Sequence, residues 1–112
     1  MPASPSLRPL QKAINNLRSL DDRIPIGVIV VLMALSDGEE VEVRDLQADL
    51  DMTVQSIFRA LTYLGEHHWN KKSKKGGLNL VSQRIPLEDR RQRLAKLTPK
   101  GVNFIKQLEE IL

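Results

Sequence analysis

Three features of this 112-residue sequence predict a mainly α domain with a small β-hairpin, arranged as a winged helix-turn-helix. A short helix, a tight turn and a second amphipathic helix follow one another over residues 44–66, which is the helix-turn-helix arrangement. Two short alternating segments then flank an arginine-rich turn and read as a hairpin, the wing, over 78–98. Thr98 and Pro99 start a last helix over 99–112, threonine as the cap and proline at the first helical position, where its missing N–H costs nothing.

The elements follow in order from local signals. Residues 1–6, with two prolines, read as a flexible tail, and 7–112 as a single domain. Leu7, Leu10, Ile14 and Leu17 recur at spacings of three and four and predict an amphipathic helix over about 6–20. A narrow apolar stripe on a terminal helix suits a partner helix, including one from a second subunit. Asp21 and Asp22 offer a cap to the next helix, and Pro25 lies near its first turn. Residues 23–36 are apolar nearly all round and predict a central buried helix, ended by Asp37-Gly38, although the Val and Ile content leaves a strand open.

Residues 39–43 read as an extended link with Val41 and Val43 inward. A short helix over 44–50 follows, with Leu46, Ala48 and Leu50 inside and Asp45, Gln47 and Asp49 outside. Asp51-Met52 makes the turn, and Thr53 caps a helix whose inward residues are Ile57, Leu61 and Leu64. Residues 67–77 form a polar, basic loop, 78–85 alternate as a strand, and Leu94 and Leu97 mark its return partner. In the last helix Phe104, Ile105, Leu108, Ile111 and Leu112 join Val102 in a broad apolar stripe. With Leu7, Leu10, Ile14 and Leu17 these five are the predicted dimer interface.

Charge points to a partner. The chain carries +3 overall, but residues 1–58 hold five basic against nine acidic side chains and 59–112 hold twelve against five. That asymmetry is the footprint of phosphate binding by the second half. The absence of cysteine removes disulfides and thiolate metal sites and fits a reducing cytoplasm. The longest apolar run, 24–35, is too short to span a bilayer. His67 and His68 are adjacent and point to different sides, with no third histidine, so no metal or other cofactor is expected. Trp69 reads as the lid of a small apolar cluster. No serine, histidine and acid constellation and no glycine-rich phosphate loop suggests an enzyme.

The candidate DNA-binding residues fall into three groups. Val54, Gln55, Ser56 and Arg59 occupy the first two turns of the second helix of the pair, where a recognition helix reads base edges. Gln55 suits adenine and Arg59 guanine, each worth about 1–3 kcal/mol of discrimination. Lys71, Lys72, Lys74 and Lys75 form a sequence-blind phosphate set, each neutralised phosphate adding about 0.9 to the salt slope. Arg90, Arg91 and Arg93 arm the wing, since arginine enters narrow minor grooves at low dehydration cost. Arg44, Thr53, Arg84 and Asp89 complete the set. Phe58 either packs beneath the basic loop or stacks on a sugar.

Two stretches carry a family likeness. Asp89-Arg90-Arg91 and, after an apolar return strand, Leu97-Thr98-Pro99-Lys100-Gly101 fit a wing of the form D-x-R followed by L-T-x-x-G. Thr53, Gln55, Ser56, Arg59, Leu61 and Leu64 fit the matching recognition helix. On these residues the sequence resembles the MarR family of transcription regulators over about residues 22–108. It departs from the family in a longer basic insertion between Leu64 and Gly77 and in less C-terminal helix. The resemblance implies a dimeric repressor that reads a palindromic operator in double-stranded DNA. It also implies that Asp89 orients Arg91 toward the minor groove while Arg90 and Arg93 touch phosphate. A small-molecule effector is left open. Two other readings of the same fold stay open as well: an accessory or protein-interaction module of a viral or plasmid replication or partition machine, and a nonspecific architectural DNA binder.

Overall fold

The computed structural model describes residues 4–65 and 77–112. Its elements are α1 (Arg8–Leu20), α2 (Ile26–Ala34), β1 (Val41–Glu42), α3 (Val43–Leu50), α4 (Val54–Leu64), β2 (Val81–Arg84), β3 (Leu94–Leu97) and α5 (Pro99–Ile111). The predicted basic loop, with Lys71, Lys72, Lys74 and Lys75, lies outside the described residues, as do His67, His68 and Trp69. In the described part of the expected tail, residues 4–6 are exposed, and the Ser4 carbonyl accepts from the amides of Leu7 and Arg8 in a turn that leads into α1.

The sheet is larger than a hairpin. Its order is β1-β3-β2, both pairings antiparallel, with Val41 opposite Ala95 and Val81 opposite Leu97. The predicted extended link is therefore a strand, too short to show a period in the sequence and created by its partner. From this strand the chain passes directly into α3.

Helix α3 corrects the inward set assigned to it. Val43 and Leu46 are buried and Leu50 half-buried, whereas Ala48 is exposed and Gln47 is partly covered. The sequence reading alternated inside and outside residues with a strand's period of two, and a helix turns 3.6 residues per cycle. Asp51 closes α3 in the left-handed region, at φ 51°, a conformation that Asp tolerates better than most side chains. Thr53 then opens α4, its hydroxyl oxygen accepting the Ser56 amide at 3.1 Å. The predicted cap and helix start are both present.

Helix α2 begins after Pro25 with no side-chain cap. Asp21, expected to serve there, instead accepts from the Arg23 amide and from the Tyr63 hydroxyl of α4. Val28, Val31 and Leu32 are buried as expected, but Ile26, Val30 and Met33 form an exposed stripe, with Ile26 77% exposed. Central burial of this helix thus holds for one side.

The core joins Val31, Leu32 and Leu35 to Leu46, to Ile57, Leu61 and Leu64 of α4, and to Leu80, Val81, Ala95 and Leu97. Helices α1 and α5 add Ala13, Leu17, Phe104, Ile105 and Leu108. Removing a side chain of this kind costs about 2–5 kcal/mol, through lost transfer energy and a residual cavity.

The start of α5 is locked onto the strand side. Leu80 donates its amide to the Leu64 carbonyl at 2.8 Å and accepts the Thr98 amide on its own carbonyl at 2.9 Å. Thr98 Oγ1 donates to the Asn79 carbonyl at 2.7 Å and accepts the Gly101 amide at 3.0 Å. Lys100 Nζ reaches the Leu78 carbonyl. Gly101 is required by this approach, since a Cβ there would lie 2.1 Å from the Leu80 carbonyl oxygen.

Candidate nucleic-acid interface

The exposed side of α4 presents Val54, Gln55, Ser56 and Arg59, while Ile57, Ala60, Leu61 and Leu64 of the same helix are buried. The cap fixes the first turn, and the core face fixes the helix rotation. Ser56 serves twice, because its amide completes the cap and its hydroxyl oxygen accepts from Thr53 Oγ1 at 2.8 Å. The Ser56 hydroxyl proton is left to donate outward.

The wing tip is built around Asp89. Its Oδ1 accepts the Arg91 amide at 3.0 Å and Arg91 Nε at 3.3 Å, while the Arg91 side chain stays 89% exposed. A carboxylate that grips both the backbone and the Nε edge of an arginine restricts its rotamers and leaves most of the side chain available. Arg90 is exposed beside it. Leu87, also in the wing turn, is almost fully exposed. The sequence reading did not single out this apolar residue, although its place between Pro86 and Glu88 in a turn was a usable signal.

Two of the predicted DNA-facing arginines are engaged within the chain. Arg84 Nε and Nη2 donate to the two carboxylate oxygens of Glu40, each at 2.8 Å. The hydrogen bond from Arg84 holds the Glu40 carboxyl below its ordinary range, with smaller help from the charges of Arg84 and Lys96. The same hydrogen bond raises Arg84. Paired on both prongs of its fork, Arg84 is a structural residue of the wing base. Arg93, expected on phosphate, lies over the Phe58 ring with its guanidinium carbon 4.7 Å from the centroid. The Phe58 ring thus packs beneath a wing arginine, a contact that neither reading of Phe58 foresaw, and the basic loop under which it was expected to pack lies outside the described residues. Arg44 is exposed at the start of α3, with Glu42 at 4.0 Å.

The predicted dimer residues divide as well. Leu17, Phe104, Ile105 and Leu108 are buried within the chain, because α1 and α5 pack on the core through them, and Ile111 is half-covered against it. Leu7, Leu10, Ile14 and Leu112 stay exposed. Leu7, Leu10 and Ile14 line a shallow groove with Gln11 and Asn15. The apolar stripe of each terminal helix looked uniform in sequence, and helix rotation assigns part of it to the chain's own core.

Among the described residues no group of three or more His, Asp or Glu is placed to hold a metal ion. No helix among them is long and apolar enough to cross a membrane.

The architecture defines a winged-helix domain of the kind found in MarR-type regulators, with the third strand supplied by the segment before α3. The solved structures it resembles include MepR from S. aureus in complex with DNA, at a TM-score of 0.71 and 19% identity over 90% of this chain and 73% of that one. They also include overoxidized AbfR bound to DNA, with a TM-score of 0.67, 18% identity, and coverage of 90% and 65%. A mutant MarR from E. coli complexed with operator DNA matches at 0.59, with 22% identity over 92% and 67%. The chain thus spans between 65% and 73% of the length of these proteins. No family model and no curated protein matches the sequence.

Proposed function

We propose that the protein is a transcription regulator that binds double-stranded DNA through α4 and the wing, acting as a twofold dimer at a palindromic operator. The observation that carries this reading is the wing tip. Asp89 holds Arg91 outward, on the same domain that exposes Gln55, Ser56 and Arg59 along the first two turns of a capped helix. Major-groove reading by the helix and minor-groove entry by an arginine are complementary ways of recognising one duplex. The MepR, AbfR and MarR structures are of DNA complexes, which supports the same use of the same fold. The role is that of a binding protein in the cytoplasm, repressing by occupancy, and not of an enzyme.

Lys71, Lys72, Lys74 and Lys75 are assigned to phosphate contact from the sequence. Leu7, Leu10, Ile14 and Leu112 are the side chains of the dimer set that remain exposed for a second copy.

Selection of bound duplexes from a random pool, followed by titration at two salt concentrations, tests the reading. A palindromic consensus, bound with affinity that falls steeply with salt and weakened by both Arg59→Ala and Arg91→Ala, is the expected result. Uniform weak binding to all duplexes supports an architectural role instead, and no binding supports a docking module. Light scattering of the wild type against Ile14→Glu addresses the dimer, and a wild-type monomer removes the twofold geometry.

A further inference from the structure

We infer that Phe58 and Arg93 form a positioning device that fixes the wing at a set angle to α4, so that Arg91 and Arg59 reach DNA as one rigid unit. The inference rests on the DNA-binding reading above and adds two residues that act through others. Arg93 lies two residues before Ala95 and four before Leu97, both buried. Strand alternation therefore sends its side chain to the helix-facing side of the sheet. There the guanidinium meets the Phe58 ring at 4.7 Å, well inside the ~6 Å range of cation–π attraction. The backbone of Arg93 is fixed too, its carbonyl accepting the Val43 amide at 2.9 Å.

The other face of the wing base is held independently. Arg84 stands opposite Leu94 in the ladder, and its fork is closed on Glu40. The base is thus clamped on one side to α4 and on the other to the segment entering β1. Arg91 sits two residues beyond Arg93, so the clamp sets where the tip points. A wing that pivots freely must give up that freedom on docking, whereas one ordered in advance has already lost it. Replacing Arg93 by lysine keeps the charge but loses the planar stack.

The test uses the full chain and a duplex recovered from the random pool. In the free protein, ring current from Phe58 shifts the Arg93 side-chain protons upfield, and Phe58→Leu returns them to ordinary positions. Phe58→Leu and Arg93→Lys each weaken duplex binding by about fivefold, the size of a partly exposed cation–π contact, and Phe58→Tyr restores it. The distinguishing readout is a double-mutant cycle between Phe58 and Arg91, which act at opposite ends of the wing. Arg91→Ala costs clearly less affinity in the Phe58→Leu background than in the wild type, because an unclamped wing presents Arg91 poorly. Equal cost in both backgrounds, Arg93→Lys binding as wild type, or unshifted Arg93 protons overturns the inference. If the wild type binds no duplex, the DNA reading falls and the positioning role with it, while the Arg93 shift still reports the stack by itself.

Discussion

Replacing Gly101 by alanine sets two effects of opposite sign against each other. Alanine in place of glycine in a helix contributes at most about 1 kcal/mol of stability through propensity. Against this, the new methyl would lie 2.1 Å from the Leu80 carbonyl oxygen, a backbone atom. Relief requires α5 and the strand-side segment to separate by about an ångström, since nonbonded carbon contacts lie near 3.5 Å. That segment has little room to move. Leu80 is bonded to Leu64 at its amide and to Thr98 at its carbonyl, and Thr98 also ties Asn79 to the start of α5. Overpacking of this kind costs about 1–3 kcal/mol, and loss of one of these hydrogen bonds adds about 1 kcal/mol. The net expectation is destabilisation by about 2 kcal/mol, a fall in Tm of roughly 10 °C for a domain of this size. Thermal denaturation followed by circular dichroism, with urea unfolding as a check on the slope, measures it. An unchanged or higher Tm would show that α5 is not seated on Leu80, and the locking of its start onto the strand side would be wrong.

Three further outcomes follow from the same geometry. Thr53→Ala removes the α4 cap and is expected to cost about 1 kcal/mol; faster amide exchange at Ser56, beyond any global change, checks it. Asp89→Ala is expected to weaken duplex binding although it removes a negative charge, because Arg91 then loses rotamer freedom on docking that Asp89 now restricts beforehand; tighter binding in a titration contradicts the orienting role. The Glu40 carboxyl is depressed in the folded chain, so its pairing with Arg84 stabilises the wing base at pH above the ordinary carboxylate value. That contribution is lost as the pH falls through the lowered value. Glu40→Gln should accordingly loosen β2 at neutral pH, by amide exchange, with the difference from wild type fading as the pH falls through that lowered value.

Much of the fold was legible because its signals are local. The Thr53 cap, Pro99 after Thr98, and the three-and-four spacing of Ile57, Leu61 and Leu64 each act within a few residues, and they placed α4 and α5 nearly to the residue. The likeness carried by Asp89-Arg90-Arg91 also anticipated the Asp89–Arg91 contact. What escaped were meetings across long sequence separations. Glu40 and Arg84 are brought together by a strand pairing that two residues of β1 could not advertise. Arg93 looked like its neighbours in the arginine cluster, and only the parity of β3 sends it toward Phe58. The terminal helices were correctly read as amphipathic. Which residues of each stripe the chain keeps for itself depends on helix rotation, which spacing alone leaves undetermined.

The junction between β1 and α3 holds no spare residue. Glu42 is still paired with Leu94 while Val43 is already helical and bonded to Arg93. An insertion at this joint would turn α3 by about 100° around its own axis, carrying Val43 and Leu46 away from the interior and breaking the ladder or the helix-turn-helix. Chain length at this point is therefore as constrained as side-chain identity, and variants that add or delete one residue there should fold poorly whatever residue is chosen.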